Sequence, residues 1–211
     1  MLSEVRAYWE GLRIGGALPR RDQIDPRGIA GALEQVFLVE RIAPGLARFR
    51  LAGMGIADVL GMDVRGMPLS AVFDPGARDR LGPALEGVFR NAVALDLGLE
   101  AERGIGRPTL SARMLLLPLI STRGVSDLAL GCLALHGEIG RVPRRFAIAS
   151  VLREALGVAP QPDAHRPAPL QQPGFAEPAA GFAPLDLPRL PPEVPRPPRG
   201  KPHLRLVRSG D

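Results

Sequence analysis

Proline placement constrains this chain more than any other feature. Of its 23 prolines, fourteen fall within residues 159–211 and nine in the 158 residues before them. Proline lacks a backbone donor and fixes φ, so neither a helix nor a central strand tolerates that density. The apolar residues between the C-terminal prolines are scattered, and they cannot offset an ordering entropy of about 1–2 kcal/mol per residue. A folded body followed by a disordered Pro/Arg-rich tail over 159–211 is expected. The tail's last segment, His203–Arg208, regains apolar character. Leu204, Leu206 and Val207 there form a candidate docking motif, able to add as a strand to a sheet edge or to a partner.

Composition removes several classes. The one cysteine, Cys132, excludes a disulfide framework and a cysteine-rich zinc module. The near-continuous apolar runs Met114–Ile120 and Leu128–Leu135 fall short of the roughly 20 residues that a membrane helix needs. Glu4, Arg6 and Glu10 interrupt the start of the chain, so no secretory signal is read there and a cytoplasmic location is expected. The net charge of +5 suggests nucleic acid. However, the arginines are interleaved with acids, as in Arg78–Asp79–Arg80, and aromatic residues make up only 4%. With neither a basic stripe nor a stacking platform, nucleic-acid binding is disfavoured.

Periodicity gives the order of elements. Leu2, Val5, Trp9 and Leu12, flanked by Tyr8, mark an amphipathic helix closed by Gly15–Gly16. Asp25–Pro26 and Asp74–Pro75 read as N-caps with proline in the first helical position. Strands are predicted over 35–42 and 47–52, joined at Pro44–Gly45. In the second, Phe49 and Leu51 share one face and Arg48 and Arg50 the other. A short helix over 56–60 follows, then a helix bearing Leu81, Leu85, Val88 and Phe89, expected to begin near Gly82 because of Pro83. Three more strands are predicted over 92–100, 109–120 and 127–135. Ile148, Val151, Leu152, Ala155 and Leu156 then mark a C-terminal amphipathic helix.

The sum is an α+β fold: a five-stranded antiparallel sheet with short helices on one face and an N-terminal capping helix. Its parts are an N-terminal helix and connector (1–34), a core (35–137), a C-terminal helix (138–158) and the tail. The last three strands are apolar on both faces, whereas a sheet wet on one side alternates. The Leu2–Leu12 helix or a second subunit must cover the other face. Leu2, Val5, Tyr8, Trp9 and Leu12 are the interface candidates, and a homodimer is expected.

No motif announces chemistry. Gly53-Met-Gly55-Ile-Ala-Asp58 follows a strand and opens a helix, but Asp58 stands where a dinucleotide fingerprint has its third glycine. A turn needing glycine's backbone freedom is the plainer reading. Cys132 and His136 lie four residues apart on one strand, about 13 Å at 3.3 Å per residue, too far for a dyad. No Cys/His cluster exists, so zinc is disfavoured and no metal site is assigned. No paired-carboxylate, Ser-His-Asp or phosphate-cradling pattern is visible, and an enzyme is not expected.

Tyr8-Trp9-Glu10-Gly11-Leu12-Arg13, Leu18-Pro19-Arg20-Arg21, Ile24-Asp25-Pro26, Phe49-Arg50-Leu51-Ala52-Gly53, Leu60-Gly61, Gly66-Met-Pro68-Leu69 and Leu115–Leu119 follow one another along the chain. Taken together in that order, these segments resemble the bacterial PAS-like domain family. The resemblance covers about residues 5–136. It implies a stand-alone sensory or protein-interaction domain with no defined catalytic residues. Such a domain would signal through contact with a separate, unidentified signalling protein. Any ligand would lie between the sheet and the short helices, against Phe49, Leu51, Val59, Leu60, Phe73, Leu85, Phe89, Leu115, Leu117 and Cys132. Small residues of the fifth strand, among them Gly131, would leave room for it. Its identity is unknown. The resemblance disfavours haem, since the 79–91 stretch has no histidine, and a flavin adduct, since Cys132 is on a strand. The alternatives are a ligand-free scaffold whose Pro-rich tail binds a partner, and a cryptic enzyme.

Overall fold

The computed structural model describes residues 1–157. Leu204, Leu206, Val207 and the rest of the tail lie outside the described residues. Six antiparallel strands form one sheet in the order β2-β1-β5-β4-β3-β6. They are β1 (Val36–Ala43), β2 (Leu46–Ala52), β3 (Val93–Ala101), β4 (Leu110–Leu119), β5 (Leu128–Gly137) and β6 (Phe146–Ala155). Three α-helices accompany them: α1 (Leu2–Gly11), α2 (Met54–Leu60) and α3 (Arg78–Asn91).

The sixth strand corrects the expected C-terminal helix over 138–158. β6 pairs along β3 from Ala101↔Phe146 to Val93↔Ala155, with a register shift where Leu99 faces Ile148 and Gly98 faces Ser150. Ala149 is therefore an extra residue, a β-bulge. The bulge stretches the inward-facing set to Phe146, Ile148 and Val151. Its second step is three residues long, which imitates a helical stripe. The outward-facing Leu152 is 66% exposed.

The inner face of the sheet carries α2, α3 and short 3-10 turns. Phe37 and Val39 of β1, Phe49 of β2, Leu95, Leu97 and Leu99 of β3 and Met114 and Leu116 of β4 close onto Val59, Leu85, Val88 and Phe89 of the helices. Both Asp-Pro caps form: Asp25 Oδ1 accepts from Arg27 N at 2.9 Å, and Asp74 Oδ1 from Ala77 N at 2.7 Å. Each opens a 3-10 turn, and the second leads into α3. α3 starts at Arg78 and runs through Pro83, earlier than the proline suggested. Pro83 is exposed, and one lost backbone bond is outweighed by burial of Leu81, Leu85, Val88 and Phe89. The β1–β2 turn leans on this helix, with Glu86 Oε1 accepting from Gly45 N at 2.7 Å and Glu86 Oε2 pairing with Arg41 at 3.0 Å.

The outer face is covered by α1. Val5 and Trp9, both 0% exposed, join Leu38, Leu115, Leu117, Leu130, Cys132 and Leu156 in a second core. Trp9 Nε1 donates to the Pro118 carbonyl at 3.1 Å. Proline is tolerated in this interior strand because β3–β4 pairing ends at Leu95↔Leu116, so no neighbour needs a donor at 118. Tyr8 Oη accepts from Asp25 N at 2.7 Å, and the Tyr8 ring fills the space over Gly28. Leu2 and Leu12 are half-buried. The cover is thus supplied by the chain itself, and the two-sided apolarity no longer argues for a second subunit. Among the described residues no helix is long and apolar enough to cross a membrane.

Candidate functional site

The ligand set expected from sequence divides between the two faces. Phe49, Val59, Leu60, Phe73, Leu85 and Phe89 do meet on the inner face, all 3% exposed or less. They meet as packed core: Phe49 makes an edge-to-face contact with Phe37 at 5.3 Å between centroids. The room expected over Gly131 is taken by the Phe37 ring, which a Cβ at 131 would strike.

The other four residues stand elsewhere. Leu115 pairs with Cys132 and Leu117 with Leu130 across β4 and β5, on the outer face under α1. Strand alternation puts Met114 and Leu116 inward instead, so these three cannot share a cavity with Phe49. Leu51 also faces outward and is 52% exposed. The register runs Val39↔Phe49 and then Leu38↔Leu51, so Arg50 is a bulge residue. That one insertion breaks the expected Phe49/Leu51 face. Burial pushes the Cys132 thiol up to about 11, which makes it an inert core group.

A different site lies on the outer face, over β1 and β2, where α1 does not reach. A cleft of about 580 Å³ is lined by residues including Arg21, Leu38, Glu40, Arg48, Arg50, Leu51, Ser121 and Thr122. An adjoining apolar hollow of about 180 Å³ shares Arg21, Leu38 and Leu51 and adds Ile24, Ile29, Leu33 and Leu130. The connector over 20–33 forms one wall, β2 the other, and the outer side chains of β1 and β5 form the floor. Two features build it. The Arg50 bulge turns Leu51 outward, and hydrogen bonds between the connector and Ile120, the residue just after β4, fix the wall: Ile120 N to Pro19 O at 2.9 Å and Arg21 N to Ile120 O at 2.8 Å.

Glu40 organises the charge of this groove. Its side chain is 17% exposed, and its Oε2 accepts from Arg48 Nε at 3.1 Å, Arg48 Nη2 at 2.9 Å and Arg50 Nη1 at 3.4 Å. Arg123 reaches Oε1 at 4.0 Å and also pairs with the buried Asp127. The lining therefore gathers three guanidiniums, of Arg21, Arg48 and Arg50, against the one carboxylate of Glu40. Sequence reasoning placed Arg48 and Arg50 on a common face but missed Glu40 and Arg21 as their neighbours. The available signal was Glu40 on the outer face of β1, directly across the hairpin from Arg48. Among the described residues no group of His, Cys, Asp or Glu could hold a metal ion.

The family model described as a PAS domain matches residues 1–134. Among solved structures, the chain is similar to the light-state structure of the LOV domain of the blue-light photoreceptor Aureochrome1. The two share 16% identity over 53% of this chain and 88% of that one, with a TM-score of 0.38. No curated protein matches the chain.

Proposed function

The chain belongs to the PAS domain family, and from that premise we propose that it is a sensory and protein-interaction module that passes its state to a separate protein by contact. The proposed role is non-enzymatic. The observation that carries it is where open space lies. The inner face is filled by the chain's own Phe37, Phe49, Phe73 and Phe146, each 1% exposed or less. The open groove is on the outer face, rimmed by half-exposed leucines and arginines. Small-molecule sites enclose most of their ligand in a pocket of about 300–1,000 Å³. A groove open along a sheet face suits a macromolecular surface better.

The connector links that surface to the rest of the fold. It is a wall of the groove, and Tyr8 ties it to α1 through the Asp25 backbone. Occupancy of the groove favours one packing of connector and helix over another, which is a population shift. Native mass spectrometry of the full chain from its own host tests the reading, because it reports bound ligand and assembly together. A complex with a second kind of protein, the chain itself unliganded, is the expected spectrum. The same spectrum reads whether the chain is also a homodimer. A chain found alone with a tightly held small molecule would refute contact signalling and restore ligand sensing.

A further inference from the structure

We propose that the outer-face groove takes an acidic amphipathic helix of the partner protein. Its apolar residues would seat between the connector and β1, and its carboxylates on Arg21, Arg48 and Arg50. This rests on the reading of the groove as the contact surface and adds the chemistry of what it contacts.

Charge complementarity carries the choice of occupant. One carboxylate, Glu40, faces three lining guanidiniums, with Arg123 at its edge. Glu40 engages only Nε and Nη2 of Arg48 and only Nη1 of Arg50. The remaining donors of both forks have no partner among the described residues, and Arg21 makes no ion pair there. Glu40 thus holds the forks in place while leaving donors for a second carboxylate, the bidentate geometry in which arginine binds most strongly. The chain's own tail is a poor candidate. Residues 158–211 carry seven basic and five acidic side chains, the same net sign as the groove.

The apolar end decides between a helix and a small amphiphile. The hollow that would take an apolar tail holds about 180 Å³, below the usual range for a small-molecule site of about 300–1,000 Å³. The roomier cleft of about 580 Å³ beside it is lined by the arginines and Glu40. The hollow is open, and Leu33 and Leu51 on its walls are 42% and 52% exposed. Such a hollow accepts the protruding side chains of a helix at i and i+3 or i+4, with the polar flank of the same helix lying along the cationic cleft. Rim charges of this kind steer association and make it salt-dependent.

The test uses the full chain and a lactam-bridged helical peptide with leucines at i, i+3 and i+7 and glutamates between them. Controls are the same peptide with glutamine for glutamate, and dodecanoate. Amide shifts on adding the Glu peptide should cluster at Arg21, Leu38 and residues 48–51. The Gln peptide should bind at least about tenfold more weakly, as should the Glu peptide with Arg50→Glu or Leu51→Asp, both at exposed positions. Affinity for the Glu peptide should fall steeply as salt rises.

Equal binding of the two peptides, or shifts confined to other residues, overturns the proposal. So does displacement of the Glu peptide by dodecanoate, which would make the groove a small-amphiphile site. Shifts of the same amides on raising protein concentration alone would assign the groove to a second copy and overturn it too. If the host complex forms through Leu51 while the chain ignores the Glu peptide, the acidic chemistry fails and the contact reading stands. A retained small ligand with no complex fails the contact reading itself.

Discussion

Replacing Trp9 with alanine should remove a large part of the stability of the whole body. The side chain is 0% exposed in the outer core, and truncating a buried Trp costs about 3–5 kcal/mol. Two further losses follow. The Pro118 carbonyl loses its donor at 3.1 Å, worth about 1–3 kcal/mol if it stays dry. The Arg13 guanidinium, 5.4 Å from the ring centroid, loses a cation–π contact of about 0.5–1 kcal/mol. These overlap, so the expected total is about 4 kcal/mol or more, against a typical domain stability of about 5–15 kcal/mol. Trp9→Phe keeps most of the packing and should cost about 1–2 kcal/mol, mainly the hydrogen bond. Urea unfolding followed by far-ultraviolet circular dichroism measures both variants. The wild type adds an internal check, since Trp9 is the chain's single tryptophan. Its fluorescence transition should coincide with the dichroism transition if α1 and the sheet unfold as one unit. A cost below about 1 kcal/mol for Trp9→Ala, or a fluorescence midpoint clearly below the dichroism midpoint, would refute α1 as an integral layer.

Three other outcomes are expected. Cys132, with its thiol pushed up to about 11 by burial, should react with a thiol reagent at pH 8 about a hundredfold more slowly than an ordinary cysteine. Because its folded value is raised, its contribution to stability is full below about pH 9 and is lost as pH climbs toward 11, which chemical denaturation across that range will show. Arg144, 0% exposed, donates to the carbonyls of Ile139, Glu102 and Pro108 rather than to a carboxylate. Arg144→Met should cost at least about 2 kcal/mol by stranding them, and an unchanged melting temperature would count against that role. Gly53→Ala should cost about 1–3 kcal/mol or more, since a Cβ there strikes the Leu33 and Glu34 carbonyls, and thermal denaturation reads it directly.

Most of the architecture was legible because its signals are local. The α1 stripe, the two Asp-Pro caps and the apolar runs of β4 and β5 each follow from a few adjacent residues, and each element forms close to its predicted bounds. The two failures of pattern share one cause. In β2 the extra Arg50, and in β6 the extra Ala149, shift alternation by one residue. The first put Leu51 on the wrong face, and the second disguised a strand as a helix. A bulge is fixed by what the partner strand offers, so a strand's own sequence does not display it. Gly53 shows the same limit. Its φ of −69° is open to any residue, and glycine is needed for the close approach of the 33–34 backbone rather than for conformational freedom. The groove was harder still. It depends on Leu51 facing outward, on Glu40 across the hairpin, and on Arg21 from a connector that no periodicity places.

Two of the polar ties at α1 and the residues just after it, those that reach the end of the sheet, also bear on the order in which this chain folds. Arg6 bonds Glu154 at 2.7 Å and Arg13 bonds the Leu156 carbonyl at 2.8 Å, across sequence separations of 148 and 143 residues. Neither can close until β6 has added to β3, the last strand pairing along the chain. Loops of that length are expensive to close before the intervening strands have shortened them. Completion of the first helix's docking is therefore a late event. During refolding, Trp9 fluorescence records the closing of the whole body rather than the winding of a local helix.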